Sequence, residues 1–172
     1  MKHARIIAQL VSDAEEDANV LGLLLFGSVA QGTHRVDSDV DVISVLRDCE
    51  PRSGIRNSHV DGIKVGNVFF TSDVLIHGVR TVPYLLHPLT EARILFDREG
   101  SLQPFVEALR RYFGNHPEIV AEWEAHYARF REEKAQFGYE KTNIVDVWNA
   151  LEKHHSGGTM KRRFFRVFPK PS

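Results

Sequence analysis

Between residues 20 and 46 the chain runs apolar, then polar, then apolar: Val20 to Phe26, a segment from Gly27 to Asp39 with two glycines and two aspartates, and Val40 to Leu46. The first run stops at Gly27-Ser28, which suits a buried strand entering a tight turn. The second is rich in β-branched residues and reads as another strand, with Asp37, Asp39 and Asp41 crowding its start. Two strands joined by so short and polar a connection constrain everything around them.

The flanking segments complete an α+β layout. Ile6, Ile7, Leu10, Val11 and Ala14 fall on one stripe, so Ala4 to Asn19 is expected to form an amphipathic helix. Arg47 to Ser58, with Pro51, Gly54 and Asn57, is expected to be an exposed loop or a hairpin turn, and Ile63 to Phe70 a third strand. Thr71-Ser72-Asp73 resembles a helix N-cap, followed by broken helical segments through Glu91 and a short strand from Arg93 to Phe96. Ser101 is the expected cap of a helix to Phe113 carrying Leu102, Phe105, Val106, Leu109 and Phe113 on one stripe. Glu118 to His155 should form one long helix, or two broken at Gly138. The expected fold is a small mixed sheet with helices on one face over residues 1–100, then a helical region over 101–172 that ends in a basic tail.

Composition excludes several classes. The chain has 42% hydrophobic and 26% charged residues, an ordinary balance for a soluble globular protein. A net charge of −1 supplies no electropositive field for duplex nucleic acid. A single cysteine, Cys49, excludes an intramolecular disulfide and a multi-cysteine zinc site. No apolar run approaches the ~20 residues that cross a bilayer. Asp13, Glu15, Glu16 and Asp17 stand where a signal peptide needs apolar residues, so a cytoplasmic location is expected.

The chemistry concentrates in the turn. Asp39 and Asp41 are two apart on an expected strand, so both project from one face, where they can share a divalent cation that neutralises their repulsion. Mg²⁺ commonly takes one or two carboxylates and completes its shell with water and substrate phosphates. Gly27 lets the backbone approach a ligand, and nearby amides with the Ser28 hydroxyl suit phosphate oxygens; Gly32 keeps the turn tight, and Ser38 is grouped with these nucleotide-binding candidates.

Gly27-Ser28, ten residues, then Asp39-Val40-Asp41 resembles the signature of the DNA polymerase beta-type nucleotidyltransferase superfamily, which includes aminoglycoside and lincosamide nucleotidyltransferases and small MNT antitoxins paired with helical toxins. The resemblance covers Leu21 to about Phe70. It implies that Asp39 and Asp41 are catalytic ligands of Mg²⁺ (or Mn²⁺) and that Gly27 and Ser28 hold the triphosphate of ATP or another NTP. It also implies transfer of a nucleoside monophosphate to an acceptor with release of pyrophosphate.

The sequence departs from that pattern in one place. Relatives usually add a third carboxylate on the next strand, where this chain has Gly66 or Asn67. Asn67 offers a metal one neutral oxygen and no basicity. Asp61 lies roughly 20 Å away along a regular strand; Asp73 is the better substitute. Either the reaction proceeds without a protein base or the chain has lost transferase activity. The acceptor is expected to be a small molecule or a protein. Alternatives are an antitoxin-like nucleotide- or protein-binding module, and an RNA-end transferase using the basic, Phe-rich stretch Lys161 to Lys170. A homodimer is an open expectation, in which Glu118, Glu122 or Glu124 of a second subunit supplies the missing carboxylate.

Other residues have plainer readings. His34 and Arg35 lie in the motif loop, and Lys64 on the third strand is either exposed or turned to the triphosphate. None of the nine histidines has metal-ligand spacing on one helix face. Trp123, Tyr127, Phe130 and Phe137 follow near-helical spacing, which suits packing of the helical region. Trp148 is read in the same way.

Overall fold

Both parities of the run Val40–Leu46 are apolar, and the fold buries both. In a computed structural model describing residues 2–74 and 83–137, this run is strand β2. The elements before it are α1 (Lys2–Glu16), β1 (Val20–Phe26) and the short α2 (Gly27–Gln31). After it come β3 (Ser53–Val60), β4 (Ile63–Thr71), a 3-10 helix (Pro83–Thr90), β5 (Arg93–Asp97), α3 (Leu102–Gly114) and α4 (Pro117–Phe137). The five strands form one mixed sheet in the order β3-β4-β2-β1-β5. Every neighbouring pair is antiparallel except β2 and β4, which run parallel.

Alternation along the central strands divides the core in two. Leu23, Leu25, Val40, Val42, Ile63 and Val65 face α1, whose Ile6 and Ala14 complete that side together with Val29 of α2. Leu24, Ile43, Val45 and Phe70 face the other way, onto Leu86 and Leu89 of the 3-10 helix and Leu102, Val106 and Leu109 of α3. The α+β class and mixed sheet are as expected, with α1 and α2 together on one face. The helical region from Leu102 onward packs directly on the opposite face and shares its core with the sheet. At the closest approach Leu102 lies on the backbone of Gly22, where a Cβ would stand 2.1 Å from its Cδ1.

Two expectations are corrected. The stretch read as an exposed loop or a hairpin turn contains β3, an edge strand of largely exposed polar residues paired to β4 from Ser53↔Phe70 to Val60↔Ile63. Asp61 (φ 54°) and Gly62 (φ 79°) close this hairpin as a two-residue turn with both residues left-handed. Ser101 does not cap α3 with its side chain. Its amide and those of Leu102 and Gln103 instead donate to the Asp97 carboxylate at 2.9–3.2 Å, so the cap comes from the end of β5. The adjacent Arg98 guanidinium donates to the carbonyls of Ala14 and Glu15 at the end of α1, and to those of Asp17 and Val20 in the passage to β1.

The expected continuation past Gly138, Trp148, His154-His155 and the basic stretch Lys161 to Lys170 lie outside the described residues, as do the segment around His77 and the side chains of Phe130 and Phe137. Among the described residues no helix is long and apolar enough to cross a membrane.

Asp97→Ala removes the anionic cap of α3 and should lower unfolding stability by about 1–2 kcal/mol in urea denaturation followed by circular dichroism. Asp97→Asn should keep more than half of it, and a Ser101→Ala change should be nearly silent.

Candidate functional site

The register places the functional side chains. Asp41 pairs with Phe26 of β1 on one side and Gly66 of β4 on the other. It shares the parity of Ile43 and Val45, so it projects from the sheet face that carries α3. Asp39, two residues earlier, projects the same way, and the parallel register carried back one step sets it beside Lys64. The Lys64 Nζ stands 3.3 Å from Asp39 Oδ2, so Lys64 reaches Asp39 while its side chain stays about half exposed.

Two glycines flank the Asp41 carboxylate. A Cβ on Gly27 would stand 3.1 Å from Oδ2, and one on Gly66 would stand 2.9 Å from Oδ1. Gly27 also has φ 71°, a conformation that side-chain-bearing residues seldom adopt. It ends β1 and opens α2, placing the half-buried Ser28 directly after the strand. Gly32 (φ 73°) closes α2, and the Thr33 amide donates to the Ser28 carbonyl at 3.0 Å. Gly27, Ser28, Asp39 and Asp41 are therefore brought to one end of the central strands.

Other candidates are not. Asn67, the expected third metal ligand, pairs with Val42 and projects from the opposite face, where its Oδ1 accepts a hydrogen bond from Ser44 at 3.0 Å. The geometry removes it from the aspartate pair. The β4 position opposite Asp41 is Gly66, which has no side chain to offer. Asp73 lies seven residues beyond Gly66, roughly 20 Å along the chain direction. It bonds to Thr71 and pairs with Arg52 at 2.6 Å. The Thr71 hydroxyl, with Arg52, holds its carboxyl below the ordinary aspartate range, so Asp73 is an ionised structural group and not a substitute base. The Ser38 hydroxyl accepts the Arg35 amide at 2.8 Å, and its carbonyl meets His3 Nε2 at 2.8 Å, which commits Ser38 to fixing the loop ahead of Asp39. His34 packs its ring on His3 with centroids 4.7 Å apart, and Arg35 pairs with Asp37.

What remains fits one hard cation. Among the described residues no group of three His, Cys, Asp or Glu converges on a metal position. Two carboxylates on one face, one of them lying close against the backbone at two glycines, suit an ion that takes its other oxygens from phosphate and water.

Further along the same face, His87 packs edge-on to Phe113 at 5.0 Å and lies 6.3 Å from Trp123, which stacks on Tyr127 at 5.5 Å. Burial pushes the His87 imidazole below 6.5, with Glu91 and Glu124 opposing the shift. Trp123 thus joins the core, as its spacing implied.

The family model described as "Nucleotidyltransferase domain" matches residues 4–154. No curated protein matches the chain. Among solved structures, a nucleotidyltransferase-like protein from Exiguobacterium sibiricum 255-15 is 14% identical, with 96% of this chain and 70% of that chain covered and a TM-score of 0.47. A toxin-antitoxin structure with AMP-PNP is 16% identical, covering 86% of this chain and 98% of that one at a TM-score of 0.35.

Gly27→Ala should cost about 1–3 kcal/mol in denaturation because φ 71° becomes strained. It should also weaken Mn²⁺ binding, measured calorimetrically, because the new methyl presses on Asp41. Burial makes the His87 imidazole bind a proton less readily in the folded chain than in the unfolded one. Its contribution to stability is therefore complete well above pH 6.5 and is lost as pH falls through that value toward the lower folded pKa. His87→Phe should flatten the stability profile between about pH 7 and pH 5 in thermal melts.

Proposed function

Because the chain belongs to the nucleotidyltransferase domain family, we propose that it moves a nucleoside monophosphate from an NTP to a small-molecule or protein acceptor and releases pyrophosphate. The observation that carries this reading is the convergence of Asp39 and Asp41 with the Gly27-Ser28 turn at one end of β1 and β2. Held by the two aspartates, Mg²⁺ or Mn²⁺ would neutralise triphosphate charge and make the α-phosphorus more electrophilic.

The protein's own part is positioning and charge. The close backbone at Gly27 and the Ser28 hydroxyl receive phosphate oxygens. Asp41 in β2 and Asp39 just before it, on a chain buried from Val42 onward, keep a fixed separation during turnover. An acceptor oxygen forms a bond to the α-phosphorus while the bond to the bridging oxygen of the β-phosphate breaks, and that electron pair leaves with pyrophosphate. The acceptor's proton passes to solvent, since Gly66 offers no base beside the pair.

That same glycine favours a second reading, a module that holds nucleotide without turning it over and acts through a protein partner. Pyrophosphate release from each NTP, measured with Mg²⁺ and with Mn²⁺ against pooled small-molecule, protein and RNA acceptors, separates the two. The transferase is expected to release pyrophosphate, and Asp39→Asn/Asp41→Asn to reduce the rate by roughly 100-fold or more. Metal-dependent NTP binding without release would instead establish the second reading.

A further inference from the structure

A triphosphate entering this site meets two carboxylates already in place, and its charge must be offset by cations. A second divalent ion needs anionic ligands of its own, and among the described residues the sheet around Asp39 and Asp41 supplies none. On the same face, β4 presents Lys64 and Gly66, and β3 beyond it places His59 opposite Lys64 and Asn57 opposite Gly66. On the other side of Asp41 the neighbouring strand carries Phe26. Next to the aspartate pair stand an ammonium, a glycine backbone, a neutral amide, an imidazole and an aromatic ring.

The geometry points to Lys64 as the second cation of the site, so that the chain binds one divalent ion and uses the Lys64 ammonium where a second ion would otherwise sit. This rests on the nucleotide-transfer reading and specifies its electrostatics. The ammonium lies 3.3 Å from Asp39 Oδ2, so an incoming ion competes with it for that oxygen. A second ion at the same place would meet a fixed positive charge. Lysine suits exchange between partners. Its charge is compact, it carries three donors, and its stem is flexible. The side chain is about half exposed, which leaves it free to swing from Asp39 to a phosphate oxygen once the ion takes the carboxylate. Gly66 completes the device, because a side chain there would push on the Asp41 carboxylate.

The test counts ions and measures nucleotide affinity on the full chain. Mn²⁺ is titrated by electron paramagnetic resonance and calorimetry, alone and with α,β-methylene ATP, for wild type, Lys64→Met, Lys64→Arg and Asp39→Asn/Asp41→Asn. Wild type should bind one Mn²⁺ per chain in both conditions, and the double aspartate variant none. Lys64→Met should bind Mn²⁺ alone several-fold more tightly, because the competing ammonium is gone, yet bind the Mn²⁺-analogue complex at least tenfold more weakly. Lys64→Arg should recover most of the analogue affinity. Two Mn²⁺ per wild-type chain with the analogue, or a Lys64→Met variant unchanged in both affinities, overturns the assignment to Lys64 and leaves the nucleotide site standing. Wild type that binds neither Mn²⁺ nor analogue overturns the nucleotide site itself and the assignment with it. Circular dichroism of each variant separates lost binding from lost folding.

Discussion

Everything in this molecule depends on β2 being buried on both faces. Val40 and Val42 need cover from one side, Ile43 and Val45 from the other, and no single helical layer supplies both. α1 answers the first demand, and α3 with the 3-10 helix answers the second. Antiparallel β1 and parallel β4 then satisfy the backbone of β2 along its whole length. The strand held most firmly is the one whose first residues carry the carboxylate pair, so the rigid centre of the sheet and the chemical site are continuous.

The site itself is organised around the Asp41 carboxylate. Repulsion between two neighbouring acids is tolerable only where counter-charge is close, and Lys64 provides it at Asp39. Close approach is the second requirement, met by glycine on each side of Asp41, against which its carboxylate lies, and by the left-handed backbone at Gly27. A cation, two acids and two absent side chains make a site from very few atoms, and all of them belong to β1, β2, β4 and the turn into α2.

The sequence made much of this legible, and its failures have physical causes. β1 and β2 begin and end as their apolar runs do, because burial of both faces leaves Asp41 and Ser44 as the polar side chains within them. β3 was hidden since an edge strand with one row of unpaired backbone needs no apolar pattern, and Ser53 to Val60 has almost none. The Asp61-Gly62 pair was the signal for it, as a two-residue turn of that composition points to a hairpin. The third-acid position was narrowed to Gly66 or Asn67, which differ by one residue and hence by a face of the sheet; only the register with Asp41 separates them. Ser101 was a sound local choice of cap, displaced by Asp97, whose carboxylate arrives from the preceding strand.

Asp97 and Arg98 are adjacent, yet they fasten helices on opposite faces of the sheet. The acid holds the amides that begin α3, and the guanidinium holds the carbonyls that end α1. One peptide bond at the tip of β5 thus ties the two layers to each other as well as to the sheet. Loosening either helix disturbs the anchor of the other, so the amides of α1 and α3 should exchange with solvent hydrogen through a shared opening event, and the two layers should behave as one cooperative unit.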